Sequence, residues 1–335
     1  MKPDAGVILL RLPNWLGDTV MALPALRGLR AALGAACIVA VGRWAPLLTG
    51  QDVADALVGY PREARSRRRL AASLRAMRPD AAVLFTNSFE SAFAARLWGA
   101  RERIGYDTDL RRPLLTHSVP LPWPRLHQVD EYRGLVEAAG VAAPETVPVW
   151  RLGDDAGAGA DLSALLGECG VDNGARAVGL HLGAAFGSSK QWPAASFADA
   201  ARRLRDRGLH PVLLGGPADA AMAAAVSASA GWSVPSLVGR DRPDMLPRLL
   251  AGLACLVSGD TGVAHLAAAV GTPTVTLFGP TDAALTVPRG PRARAIEGRA
   301  PCAPCFLQRC PIEHVCMREI TAASVTEAVH AAPAA

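Results

Sequence analysis

Cys255-Leu256-Val257-Ser258-Gly259-Asp260-Thr261-Gly262-Val263-Ala264-His265-Leu266-Ala267-Ala268-Ala269 passes from a strand pattern to a helix pattern within fifteen residues. An apolar run ends at Ser258, and an Ala/Leu-rich helix starts by Gly262. Between them lies Gly-Asp-Thr-Gly. A short buried strand feeding a helix through a tight glycine turn is one unit of a parallel α/β sheet. The first N–H groups of such a helix have no partner within it, so its start suits an anion. Gly262 removes the side chain that would block a diphosphate, and His265 follows three residues on. Taken alone, a histidine there is more often a satisfied structural residue.

Working outward, the same alternation fills the chain. Strands are expected at Ala177–Leu182, Pro211–Leu214 and Thr274–Phe278, with helices at Ala194–Asp206, Asp219–Ser229, Asp244–Gly252 and Gly262–Val270. In the first half, strands are expected at Val7–Leu12, Cys37–Val41 and Ala81–Phe85. Helices should cover Thr19–Leu33, Arg62–Met77 and Ser88–Leu97. Residues 111–135 are rich in Pro and Arg and resist assignment. The loose segment 142–175, with a short helix at Leu162–Cys169, reads as a crossing between two domains, 1–155 and 175–335. The last helix, Ala322–Ala331, could pack back on the N-terminal domain.

Composition supports a folded two-domain chain. Of 335 residues, 50% are hydrophobic and 19% charged, ample apolar surface to offset the entropy of ordering. No apolar run reaches the ~18 residues of a membrane span. The N-terminal run ends at Arg11, too short for a signal core. A cytoplasmic protein is expected. The net charge of +5 favours an anionic partner. Aromatics are only 5%, too few for the stacking platforms of single-strand binding, so nucleic acid is not expected.

Other constellations carry possible chemistry. Trp15-Leu16-Gly17-Asp18 follows the first strand, where Asp18 is either a helix cap or a carboxylate that takes a proton from a hydroxyl. Gly183 to Pro193 holds Gly187, Ser188, Ser189 and Lys190, a loop suited to phosphate oxygens or an ordinary turn with a solvated lysine. Phe278-Gly279-Pro280-Thr281-Asp282 is a Gly-Pro turn or a further wall of the same pocket. Cys302, Cys305, Cys310 and Cys316, with His314 among them, are spaced for structural zinc or an iron–sulfur cluster, or are simply reduced thiols. Arg65, Arg67, Arg68, Arg69, Arg75 and Arg78 share one predicted helix whose buried stripe is Leu70, Leu74 and Met77. They form a solvated face or a patch for an anionic leaflet.

Trp15–Asp18 with Leu23-Pro24, the Phe186–Pro193 loop, Gly259–Gly262 with His265, and Phe278–Thr281 occur in an order that resembles glycosyltransferase family 9, the ADP-heptose:lipopolysaccharide heptosyltransferases, nearer the heptosyltransferase II branch. The resemblance spans about residues 7 to 330. It implies a GT-B fold, two Rossmann-like α/β domains whose parallel sheets face a central cleft that closes on its substrates. It implies an inverting transfer of heptose from ADP-heptose to a lipid-linked core oligosaccharide, with no cofactor required. Asp18 falls on the family's catalytic aspartate. Ser188, Ser189, Lys190, Asp260, Thr261, Gly262 and His265 fall on donor-binding positions, and Asp219 near an acidic position that contacts the ribose. Contact with the cytoplasmic face of the inner membrane would follow from such an acceptor. The cysteine cluster departs from the best-known relatives, so no role carries over to it. The alternatives are another nucleotide sugar, an acceptor outside lipopolysaccharide, a nucleotide-sugar epimerase, or a nucleotide-binding module that senses metal or redox state.

Overall fold

The computed structural model describes residues 6–153, 163–171, 176–240 and 242–332. The chain divides into two compact units, Met1–Pro148 and Val149–Ala335. The positions 155 and 175 expected as domain limits lie outside the described residues, as does the first residue of the short helix expected at Leu162–Cys169. Helix is present at 163–168.

The first unit is a six-stranded sheet: β1 (Val7–Arg11), β2 (Cys37–Gly42), β3 (Ala56–Gly59), β4 (Ala81–Leu84), β5 (Glu102–Tyr106) and β6 (His117–Val119). Every pairing is parallel, in the order β3-β2-β1-β4-β5-β6. Winding reverses between β1 and β4, and sheets of this kind bind ligands beyond the strand ends at such a reversal. β1, β2 and β4 are almost wholly buried, as strands covered on both faces must be.

Helices fall where apolar spacing demands them, with instructive differences. The single helix expected at Thr19–Leu33 is two, α1 (Leu16–Met21) and α2 (Leu23–Ala32). Pro24 sits in the first turn of α2, where its missing N–H costs nothing, so a new helix starts there. Helix α3 (Ala64–Ala76) stops short of Arg78, which takes a left-handed conformation. Of its expected stripe, Leu74 is buried, Leu70 is partly covered and Met77 is exposed. Helix α4 (Phe89–Leu97) follows β4, capped by Ser88, whose side chain accepts from the Ser91 N–H. Helix α5 (Gln128–Ala138) lies in the stretch that resisted assignment.

Two buried arginines knit the loops at the ends of β1, β4 and β5. Arg11 donates to the Leu12 carbonyl and to Asn14 Oδ1, and lies over the Tyr60 ring. Arg111 has no exposed surface and donates to the Tyr106 and Thr86 carbonyls, to Ser91 Oγ and to Asn87 Oδ1. Burial lowers its pKa to about 10. Arg111→Met keeps the bulk but strands buried acceptors, so it should destabilise the fold by about 3 kcal/mol. Urea unfolding measures this, and a loss below about 1 kcal/mol would show these bonds to be dispensable.

The second unit holds β7 (Ala177–His181), β8 (His210–Leu214), β9 (Cys255–Gly259), β10 (Thr274–Phe278) and β11 (Ala293–Glu297), all parallel, in the order β11-β10-β9-β7-β8. Its reversal lies between β7 and β9. Helix α6 (Ala194–Asp206) buries Phe197, Ala198, Ala201 and Leu204. In the final helix, Ala322–His330, the side chains of Ala322, Val325 and Val329 share one core cluster with Trp192 and Phe197. The Trp192 indole is fully buried and donates to the Ile320 carbonyl just before that helix.

Candidate functional site

In the second unit, β9 ends at Gly259, and the next residue, Asp260, is the hub of the site. Lys190 Nζ donates to its Oδ2 at 2.5 Å and to its main-chain oxygen at 3.2 Å. Thr281 Oγ1 donates to the same Oδ2 at 2.9 Å. His265 Nε2 lies 3.9 Å from Oδ1. Asp260 is only 7% exposed. Burial pushes its pKa up, but the neighbouring His265 and the charge of Lys190 outweigh this and hold the carboxyl at about 2. It is a fixed anion that gathers side chains from the Lys190 turn, the Thr281 turn and the helix Gly262–Ala269.

Local sequence explains the convergence. Gly259 admits the Lys190 carbonyl, which would lie 2.9 Å from any Cβ there. Lys190 ends a short 3-10 turn, Ser188–Lys190, and Trp192, two residues on, anchors that turn in the core. Helix α7 (Gly262–Ala269) starts beside Asp260; its N-cap, Thr261, makes no side-chain cap bond and instead pairs its hydroxyl with Ser258 Oγ at 2.9 Å. Ser258 Oγ also meets Nδ1 of His181 at the end of β7. Burial lowers the His181 pKa to about 4, so this imidazole is neutral.

The remaining expected donor residues are arranged differently. Ser189 is buried; its N–H donates to the Gln308 carbonyl and its Oγ to the Leu307 carbonyl. Ser188 is exposed. Asp219 sits at the corner of β7 and β8, accepting from the Gly216 N–H and packed near Gly183 and Gly215. Burial raises its pKa.

In the first unit, Asp18 lies past the end of β1, in the first turn of α1. The N-cap is Trp15, so Asp18 is not the cap that its position in the sequence allowed. Its Oδ1 accepts from the Tyr132 hydroxyl at 3.3 Å. Tyr132 is buried edge-on to Phe85, and burial followed by the nearby Asp18 charge raises its pKa well above the usual value. It therefore stays a donor and fixes one carboxylate oxygen. Tyr132 had no motif to reveal it, because it lies on α5 in the unassigned stretch.

The sequence profile of glycosyltransferase family 9 (heptosyltransferase) matches residues 67–316. The chain belongs to this family. It is 30% identical over 310 residues to lipopolysaccharide heptosyltransferase 2 of Escherichia coli K12, covering 87% of each chain. It superposes on the solved E. coli ADP-heptose lps heptosyltransferase II with a TM-score of 0.80 and 27% identity over 97% of both chains. A family 9 glycosyltransferase of Veillonella parvula gives a TM-score of 0.84 at 20% identity, covering 98% of this chain and 97% of that one. The two parallel-sheet domains are thus those of a GT-B heptosyltransferase.

The loop bearing the four clustered cysteines borders this site. Among the described residues no group of three or more His, Cys, Asp or Glu side chains is placed to hold a metal ion. All four are free thiols, and Cys316 is buried. Their loop acts through its main chain. The Pro280 carbonyl accepts from the N–H groups of Cys305 and Phe306, and Ser189 donates to Leu307 and Gln308. The loop thereby braces the turns carrying Lys190 and Thr281. Gly187 touches it so closely that a Cβ would lie 2.2 Å from the Gln308 carbonyl oxygen. Gly187→Ala must displace that brace and should raise the donor KM about tenfold, a loss of ~1.4 kcal/mol. An unchanged KM would show that the brace does not position the site.

Proposed function

We propose that the chain transfers heptose from ADP-heptose to the lipopolysaccharide inner core with inversion at the anomeric carbon. The observation that carries this reading is the Lys190–Asp260–His265–Thr281 cluster beside a helix N-terminus at a sheet reversal. It stands in a chain of the heptosyltransferase family.

In this reading ADP-heptose binds the second domain. An ammonium has three hydrogens to donate. Asp260 engages two through its Oδ2 and main-chain oxygen, and the third is available to a diphosphate oxygen. The N–H groups at the start of α7, around Thr261 and Gly262, add uncharged donors. As the bond from the anomeric carbon to the diphosphate oxygen breaks, ADP gains about one negative charge, which Lys190 and these groups stabilise in place. The acceptor hydroxyl attacks the opposite face of that carbon and loses its proton to Asp18, whose orientation Tyr132 holds. Ser188 and Ser189 shape the Lys190 turn, and Asp219 faces the ribose. The acceptor is lipid-linked, and the reaction takes place at the cytoplasmic face of the inner membrane.

The test is incubation with ADP-heptose and a heptose-deficient core acceptor, read by mass spectrometry and by NMR of the new anomeric centre. One heptose added per ADP released, with inverted configuration, is expected. Transfer from a different nucleotide sugar, retention of configuration, or turnover without acceptor would refute it.

A further inference from the structure

Helices α3 and α4 carry an outward surface that includes none of the residues given a role in the reaction above. Helix α3 carries Arg65, Arg67, Arg68, Arg69 and Arg75 and no acidic residue, and it buries only Leu74. A thirteen-residue helix with one buried side chain is poorly repaid by its own domain. Beside it, Phe89, Phe93 and Leu97 recur every four residues along α4 and so lie in one line. They are exposed at 46%, 46% and 45%. The two phenylalanine rings stack with centroids 6.4 Å apart, so the stripe is ordered without a protein cover. Ser91, Ala92, Ala94 and Ala95 take the buried side of the helix. Between the helices runs a groove floored by Ala71 and Ala94, with Phe93 and Leu97 on one wall and Arg68 and Arg75 on the other. Past the α4 N-terminus, Asp109 accepts from the Phe89 N–H and so pins the turn that presents Leu110, exposed at 90%. The acid in the groove, Glu90, is paired with Arg67 and accepts from the Tyr60 hydroxyl.

We propose that the α3–α4 face docks on an anionic phospholipid surface, with Phe89, Phe93 and Leu97 entering the headgroup region and the α3 arginines pairing with lipid phosphates. Aromatic side chains favour that depth. Arginines can lay their stems on apolar surface while the guanidinium stays with the phosphates. Charge of one sign beside an open apolar line fits a planar partner with phosphates at every position. A protein partner would need an acidic row in matching register. The link to the proposed reaction is that a lipid-anchored acceptor gives docking a use. Vesicle binding is read without donor or acceptor, so either idea can fail alone.

The test is co-sedimentation of the full chain with vesicles of phosphatidylglycerol and phosphatidylethanolamine, against vesicles of phosphatidylcholine. Binding is expected only to the anionic vesicles and should fall as salt is raised. Arg68→Gln/Arg69→Gln should weaken partitioning roughly thirtyfold. Phe93→Ser/Leu97→Ser should abolish it, while both variants keep the parent Tm and full transfer to a soluble, deacylated acceptor. Should the serine variant not fold, the arginine variant, altered only at exposed positions, decides the question. Equal binding to both vesicle types, no binding by the parent protein, or parent-like binding by the arginine variant would overturn the proposal.

Discussion

Asp18→Asn should lower kcat for heptose transfer by about a thousandfold, ~4 kcal/mol of barrier, while ADP-heptose affinity changes less than about threefold. The substitution is nearly isosteric, and its amide oxygen can still accept from the Tyr132 hydroxyl, so the local structure is kept. What is lost is the capacity to take a proton from the incoming alcohol. The donor cluster on the second domain is untouched, so binding and chemistry should separate: kcat falls and the donor Kd does not. Stopped-time transfer assays with isothermal titration of the donor measure both quantities. Transfer within tenfold of the parent would end the assignment of Asp18 as the base.

Lys190→Gln should have the second largest effect, combining two losses. The cation that meets the leaving diphosphate is gone, which should reduce kcat by about two to three orders of magnitude. Asp260 also loses the ammonium that helps hold its buried carboxyl ionised, so the fold should weaken by about 3 kcal/mol. Adding Asp260→Asn separates the two effects. The double variant carries no stranded charge, so its Tm should recover most of the deficit while transfer stays at the single variant's level. Recovery of activity along with stability would mean that Lys190 serves the fold alone. A single variant as stable as the parent would mean that the pair carries little weight in the folded state.

What the sequence disclosed follows from where the information is local. Buried parallel strands are apolar at all but their last residue, as at 8–10 and 178–180, so they stand out. The Gly-Asp-Thr-Gly turn marks the end of β9 because its glycines serve close approach. Strands β3, β5, β6 and β11 escaped notice because they are short, partly exposed and mixed in composition: Glu102-Arg103-Ile104-Gly105-Tyr106 pairs well only because β4 lies beside it. The site divides in the same way. Lys190, Asp260 and His265 were legible from their turns. Tyr132 was not, since its meeting with Asp18 bridges 114 residues of chain. Ser189 was legible as a hydroxyl in a phosphate-like loop, yet its partner is a carbonyl 118 residues away. Spacing identified four cysteines as a set, whereas the loop that bears them meets the Lys190 and Thr281 turns through its peptide groups, which no pattern of side chains can reveal.

That last property bears on how such an enzyme can change over generations. A brace made of peptide groups tolerates almost any side chain that preserves its path, so residues 302–310 can drift in identity while the turns they support stay fixed. Gly187, silent in any chemical sense, is the neighbour that cannot follow them.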